Sequence, residues 1–425
     1  MTNTRIRISA LLLAISGLLT PHPAAFGAGK APKTHELTFS GKATPEQYYV
    51  PVYTSFTVPE GIVKISVTQH LGSGEARPGN LDLGIFDERG AGFEGPGFRG
   101  WSGGARRSFE IGETEATPGY LAGRINPGRW TVIQMPTTAG RTTDWTLKIT
   151  LTEGPRAKKL PAPSYAAPQL NDKPGWYRIA PHVHTVHSDG RLTPAEVIAL
   201  GKASGLDGIV STDHNTTSAL LHWGEVQDPE FLVINGVEVT YGQGHWNIFG
   251  LDPHAWIDFR IHHNDTLRYR KAVAKARKAG RLLVANHPYN LDFLYDVTPM
   301  DGIEVWNSAW SPANERAVEL WHTLLVGGNR KFAVASTDFH RGGNIASPHT
   351  VVRAEALSAE AVIDAIAAGR SYVARDASVE IGMQVRNSAT PVQHADIGDT
   401  LLRSGGMQAE FRSNTAGRLR MTDQQ

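Results

Sequence analysis

Nine side chains able to ligate a metal ion stand at the carboxyl ends of successive strand-like runs: His182, His184, Asp189, His214, Glu238, His245, His287, Asp338 and His340. A chain that spaces imidazoles and carboxylates this way must fold so that one rim of a sheet gathers residues from distant segments. Nitrogen and oxygen donors in that number fit a polynuclear metal site, with zinc, manganese and iron as suitable ions. Few other folding solutions make sense of so many polar residues inside otherwise apolar runs.

The local spacing has a physical reading. Residues two apart in an extended strand project on the same side, so His182 and His184 in YRIAPHVHT can address one ion together, and Asp338 and His340 in STDFH repeat the spacing. Asp189 falls in Ser188-Asp189-Gly190, a loop signal that folds a carboxylate back over the strand end. His245 follows Glu238 across a Gly242-Gln243-Gly244 turn that brings both to one place. Pro288 ends the strand that carries His287.

Short β-branched runs alternate with segments of helical period, which predicts an α/β fold. The strand candidates are YRIAPHVHT, GIVSTDHN, FLVINGVEVT, HWNIFGL, RLLVANHP, GIEVWNS and KFAVASTDFH, seven in all. Thr193-Pro194-Ala195-Glu196 is a capping box with proline at the first helical position, and Gly205 stops the helix. Further helices are predicted over Thr266 to Lys278 and Pro312 to Val326. Strands followed by helices imply a mostly parallel sheet with its chemistry at the strand carboxyl ends.

The ordered motifs HVHT-x-x-SDG, STDHN, GVEVT, ANHP and STDFH resemble those of the PHP (polymerase and histidinol phosphatase) superfamily over about residues 178 to 375. With the amino-terminal stretches NLDLGIFDERG and ATPGYLAGRINPGRW, the chain is most similar to the exported, carbaryl-hydrolase-like CehA/McbA branch. The resemblance implies a distorted seven-stranded βα barrel holding two or three divalent transition-metal ions. It implies that His182, His184, Glu238 and Asp338 hold one ion and that Glu238 bridges to a second held by His245 and His287. Asp189, His214 and His340 would hold a third, with Asp189 standing where some members carry histidine. Glu238, Asp338 and His340 are the residues expected to carry catalysis.

Cations bridged in this way make a shared water acidic and polarise the group it attacks, so hydrolysis needs no side-chain nucleophile. A small phosphoester is the first substrate class expected; a carbamate, aryl ester or amide is the second, and a non-catalytic metal- or glycan-binding protein the third. The 42 basic and 41 acidic residues leave a formal charge of +1 with no long basic run, so a nucleic-acid duplex is not expected as a partner. A small-molecule ester is.

Residues 1–27 resemble a secretory signal: Arg5 and Arg7 precede an apolar run from Ile8 to Leu19, and Ala25-Phe26-Gly27 offers a cleavage site. A periplasmic or secreted protein without a membrane span is the expected mature form, and no cysteine offers a lipid attachment site. From 35 to 152 the period is two. Trp145, Leu147, Ile149 and Leu151 alternate with polar residues, as do Val63, Ile65 and Val67, which predicts a β-sandwich. A proline-rich linker follows at 153–174, then the metallohydrolase barrel at 175–377 and a β-like or disordered tail at 378–425.

Other features carry weaker readings. Gly100-Trp101-Ser102-Gly103-Gly104 matches a nucleophile-elbow pattern but lacks the strand-turn-helix context. His187 is expected behind the ligands or at the surface, His262 and His263 in a solvated loop, and His349 and His394 without a role. Asp213, Asn215, Asn247 and Asn286 are candidates for orienting imidazoles. Trp246, Trp306 and Trp310 are candidates for lining the pocket, and Arg341 for an anion contact.

Overall fold

The computed structural model describes residues 32–72, 78–262, 264–290, 293, 296–388, 392–401 and 405–417. The signal-like segment 1–27 and His263 lie outside the described residues.

Eight strands come first: β1 (Thr34–Ala43), β2 (Val52–Val58), β3 (Ile62–Gly72), β4 (Leu81–Phe86), β5 (Phe98–Gly103), β6 (Ser108–Gly112), β7 (Gly128–Pro136) and β8 (Thr143–Glu153). They make two four-stranded antiparallel sheets, ordered β1-β8-β3-β6 and β2-β7-β4-β5. Both sheets turn apolar residues into one cluster, with Ile65, Val67, Leu147 and Ile149 from one and Phe56, Leu83, Trp130 and Val132 from the other. On β3 the inward set differs from simple alternation. The register shifts between Ile62 and Lys64, so Ile62 and Ile65 are both buried while Val63 is half-buried. A bulge resets the period by one residue.

The next elements are β9 (Gly175–Val183), α1 (Pro194–Ala203), β10 (Gly208–Ser211), β11 (Leu232–Tyr241), β12 (Gly244–Phe249), α2 (Thr266–Ala279), β13 (Leu282–Asn286), β14 (Gly302–Asn307), α3 (Pro312–Val326), β15 (Phe332–Ser336), β16 (His349–Ala354), α4 (Ala359–Ala367) and β17 (Ser371–Ala374). All seven sequence-predicted runs contain strands, and β16 and β17 add two, giving a nine-stranded mixed sheet ordered β15-β14-β13-β12-β11-β10-β9-β16-β17. Parallel pairing joins β9 to β10, β10 to β11, β13 to β14 and β14 to β15, whereas β12 runs antiparallel to both neighbours. The cause is local, because only Gly242 and Gln243 separate β11 from β12 and a parallel crossover needs a dozen residues or more.

The sheet nearly closes on itself. Ala335 N–H donates to Thr350 Oγ1 at 2.9 Å, Ser336 Oγ donates to the His182 carbonyl at 3.0 Å, and His184 N–H donates to the Phe339 carbonyl at 2.8 Å. These bonds carry the end of β15 back to β9. Helix α1 begins as its capping box predicts, with Glu196 N–H donating to Thr193 Oγ1 and Thr193 N–H to the Glu196 carboxylate. Beyond it all, β18 (Ile381–Asn387), β19 (His394–Asp396) and β20 (Met407–Ser413) form a small antiparallel sheet, tied to β16 through Arg353 with Asp396 and Asp399.

The amino-terminal sheets and the nine-stranded sheet share buried surface. Phe98 stacks on Trp256 with ring centres 4.3 Å apart, and Trp101 meets Phe259 at 4.5 Å. Arg260 is the polar fastener. Buried beside Asp258, it donates to Tyr53 Oη and to the Ala91 and Gly92 carbonyls. Removing one member of a buried ion pair strands the other, so Arg260→Ala is expected to cost about 3 kcal/mol in denaturant unfolding. Arg412→Ala, on the exposed β20, should leave the midpoint unmoved.

Candidate metal centre

Glu238 is fully buried on β11, and five imidazoles converge on its carboxylate. Oε1 lies 3.2 Å from His182 Nε2, 3.2 Å from His245 Nδ1 and 3.5 Å from His287 Nε2; Oε2 lies 2.7 Å from His214 Nδ1 and 3.6 Å from His184 Nε2. Asp338 is the second carboxylate, with Oδ1 3.1 Å from His182 Nε2 and 2.9 Å from His184 Nε2. Asp189 closes the outer end, 3.1 Å from His340 Nε2 and 3.4 Å from His214 Nε2.

Every one of the nine expected side chains is thus in one place. Their atoms form four overlapping groups within 4.8 Å: His182, His184 and Glu238; Glu238, His245 and His287; His182, His287 and Asp338; His184, Asp189, His214 and His340. Ligands about 2.0–2.2 Å from one ion lie up to about 4.4 Å apart, so small side-chain adjustments suffice. His184 differs from the expected partition, since it faces both the Glu238 pair and the outer group.

The strand-end geometry also differs from the expected form. β15 stops at Ser336, and Asp338 has φ of 52°, so Asp338 and His340 reach the site through a left-handed turn and not as alternate residues of an extended strand. His287, just past β13, likewise has φ of 26°. His245 enters at the amino end of its strand, because antiparallel β12 presents its start to the rim where the parallel strands end. The Asp189 loop folds back as expected, and Gly190 permits it: a Cβ there would lie 2.5 Å from the His184 carbonyl.

Burial raises the Glu238 carboxyl, but His182, His214 and His245 outweigh it and hold the group well below the usual range. Asp338 is held low against the same penalty by His182 and His184. Burial opposes charge on His182 and His214 too, yet Asp338 and Glu238 raise the first, and Glu238 pushes the second up to about 9. His184, buried and facing His214 and His340, is pushed down to about 4. The cluster thus favours positive charge between its carboxylates, a balance that divalent cations would also serve.

The donor set fits such ions on a separate ground. His182 Nε2, His184 Nε2 and Asp338 Oδ1 are buried and have no hydrogen bond of acceptable geometry among the described residues, despite their close approach. Buried polar atoms are rarely left so, and a shared cation resolves all three.

Residues behind the ligands were only partly legible. Glu304 lies 3.1 Å from His182 Nδ1 and accepts from His287 N–H at 2.9 Å. A carboxylate inside the apolar run GIEVW was the available signal. Thr240 Oγ1 lies 2.5 Å from His214 Nδ1. Among the named candidates, Asn286 donates to Glu238 Oε1 at 2.7 Å, and Asp213 acts through Ser188, accepting from its hydroxyl, which is 3.4 Å from His184 Nδ1. Asn215 pairs with the Thr240 backbone, and Asn247 donates to the Pro181 carbonyl, so neither touches an imidazole.

The remaining candidates fall elsewhere. His187 is buried, 2.8 Å from Ser218 Oγ, and borders a separate apolar cavity. Trp246 is buried in the core and borders neither cavity beside the cluster; Trp306 and Trp310 pack edge to face, with Trp310 exposed. Ser102 is buried inside β5, 2.9 Å from Tyr120 Oη, so it has no elbow. His349 is buried against the Ala346 carbonyl, while His262 and His394 are exposed away from the centre. Arg341 borders the main cavity together with Asp189, Asp338 and His340.

No family model and no curated protein matches the chain. Among solved structures it is similar to a two-domain protein from Bacteroides vulgatus described as containing a predicted PHP-like metal-dependent phosphoesterase, at 17% identity over 60% of this chain and 90% of that one, with a TM-score of 0.37. PsfC from Pseudomonas syringae follows at 15% identity, covering 48% and 93%, with a TM-score of 0.35. An amidohydrolase from Chromobacterium violaceum has 19% identity, 39% and 89% coverage and a TM-score of 0.30. Only the first of the three is described as PHP-like, and none of them names the carbaryl-hydrolase branch. Likeness at this level leaves the site to rest on its own geometry.

Because Glu238 belongs to two of the four groups, Glu238→Gln should lower metal content by more than one equivalent in elemental analysis. His187→Ala should leave it intact. Equal effects of the two substitutions would contradict the ligand set.

Proposed function

We propose that the chain is a metal-dependent hydrolase of PHP type that cleaves a small phosphoester, using two or three zinc, manganese or iron ions. His182, His184, Asp189, His214, Glu238, His245, His287, Asp338 and His340 would hold them. The observation that carries this reading is the convergence of buried imidazole and carboxylate atoms without hydrogen-bond partners on Glu238 and Asp338. Bound there, such cations supply a water of lowered pKa and polarise the electrophile.

The protein's own residues fix where that chemistry happens. Glu304 and Asn286 hold His182 and Glu238 in orientation from behind, and ligands so braced keep their geometry through a reaction cycle. Glu238 sets the spacing between groups, while Asp338 and His340 face the cavity from which substrate approaches. An anionic substrate is favoured because Arg191 and Arg341 border the same cavity, and planar guanidinium groups suit phosphate oxygens. The same reading takes the amino-terminal sheets as a β-sandwich, the nine-stranded sheet as an elaborated, distorted seven-stranded βα barrel, and the enzyme as exported after cleavage near Gly27, the last supported by sequence alone.

Purified protein is expected to hold two or three equivalents of transition metal, to lose activity with a chelator and to regain it on metal return. A panel of 4-nitrophenyl phosphate, bis-4-nitrophenyl phosphate and 1-naphthyl N-methylcarbamate reads the substrate class. Turnover of a phosphate ester is expected; turnover of the carbamate alone would assign the chain to ester or carbamate hydrolysis instead, and full activity without metal would remove the mechanism.

A further inference from the structure

We propose that Asp82, carried by the amino-terminal sheets, donates the proton to the leaving oxygen of the substrate, an inference that rests on the hydrolase reading above. The metal ligands are poor sources for that proton, since carboxylates and imidazoles must be deprotonated at the ligating atom to hold a cation. The donor has to come from another wall of the cavity.

That wall belongs to the first two sheets. A cavity of about 1110 Å³ is bordered by Asp189, Asp338 and His340 on one side and by Tyr49, Asn80 and Asp82 on the other. A second space of about 230 Å³ joins Asp82 to His214 and His245. Asp82 thus borders both approaches to the ligand cluster. Its Oδ1 accepts from Asn80 Nδ2 at 2.5 Å and from Thr137 Oγ1 at 3.2 Å, whereas Oδ2 accepts no hydrogen bond among the described residues. Arg107, the nearby cation, is engaged with Asn80 Oδ1, Gln69 Oε1 and the Leu81 carbonyl. The half-buried carboxyl is therefore left without an ion-pair partner among the described residues, with one oxygen free.

The wall is held in register with the ligand rim. Arg106 donates to the Val186 and Ser188 carbonyls at 2.7 and 3.1 Å, beside the Asp189 loop. The Tyr49 ring packs on the turn between β11 and β12 so closely that a Cβ at Gly242 would meet Tyr49 Cδ2 at 2.5 Å. Burial pushes the Asp82 carboxyl up to about 6, against the opposing pull of Thr137, His214, Arg107 and Asn80. A carboxyl near neutrality is suited to general acid work. The Tyr49 phenol, raised by burial and by Tyr48 and Asp82, holds its proton too firmly for that task.

In the step, water oxygen bonds to phosphorus and the bond from phosphorus to the leaving oxygen breaks, its electron pair passing to that oxygen. The leaving oxygen takes the Asp82 proton and departs as an alcohol. The water's displaced proton goes to solvent, and the Asp82 carboxylate takes one back from solvent.

The test compares phenyl phosphate, whose leaving group needs a proton, with 4-nitrophenyl phosphate, whose leaving group needs it far less. Asp82→Asn should lose about 100-fold in kcat on phenyl phosphate, within the usual range for general acid catalysis, and at least about tenfold less than that on 4-nitrophenyl phosphate. Metal content and unfolding temperature should match the unsubstituted protein. If Asp82→Asn fails to fold, Asp82→Ser carries the same comparison. Equal losses on both substrates, no loss on either, loss of metal, or a selective loss from Tyr49→Phe in place of Asp82→Asn would each overturn the assignment. A fully metal-loaded unsubstituted protein that turns over neither substrate would instead sink the phosphomonoester form of that reading, and that result is seen before any variant is made.

Discussion

A carboxylate at position 238, fully removed from water, is the constraint that organises this protein. An unpaired buried charge costs several kcal/mol or more, so positive charge has to be brought to it from every side. His182 comes from β9 and His184 from just beyond it, His214 from beyond β10, His245 from the start of β12 and His287 from beyond β13. No single segment can supply five imidazoles around one carboxylate. Only a sheet whose rim curls around that point can, and the return of β15 to β9 brings Asp338 to the same centre.

The same requirement explains why polar residues inside the sheet are not interchangeable with apolar ones. Glu304 and Asn286 occupy strand positions that would ordinarily pack as core, yet each holds a group of the cluster through a hydrogen bond. Their burial is tolerable because every charge there has a partner or a place where a cation balances it. The amino-terminal sheets are joined to this assembly through shared aromatic packing and through Arg260, so the cavity in front of the cluster has a wall from each unit.

Much of the sheet was legible because period and punctuation act locally. The apolar runs from β9 to β15 and the Thr193 capping box were visible, and the two-residue Gly242-Gln243 connection already required an antiparallel β12, although alternation of strands and helices pointed to parallel pairing. Val63 shows where local pattern fails: a bulge is set by the partner strand, and the residue opposite Ile62 is Glu153, far along the chain in β8. Trp246 shows another failure, since a tryptophan next to a ligand can face either side of its strand, and here it faces the core.

The identity and order of the nine ligand types were fixed by the chain itself, because imidazoles and carboxylates at strand ends have few other uses in such apolar surroundings. Which of them share a centre was decided only in three dimensions. His184 faces two groups, and Asp338 arrives through a left-handed turn, and both depend on how the sheet closes. The placement of Tyr49, Asn80 and Asp82 opposite residues more than a hundred positions later is likewise a tertiary outcome. Side-chain chemistry is a property of each residue, whereas the distance between two such groups depends on packing between segments that no local period encodes.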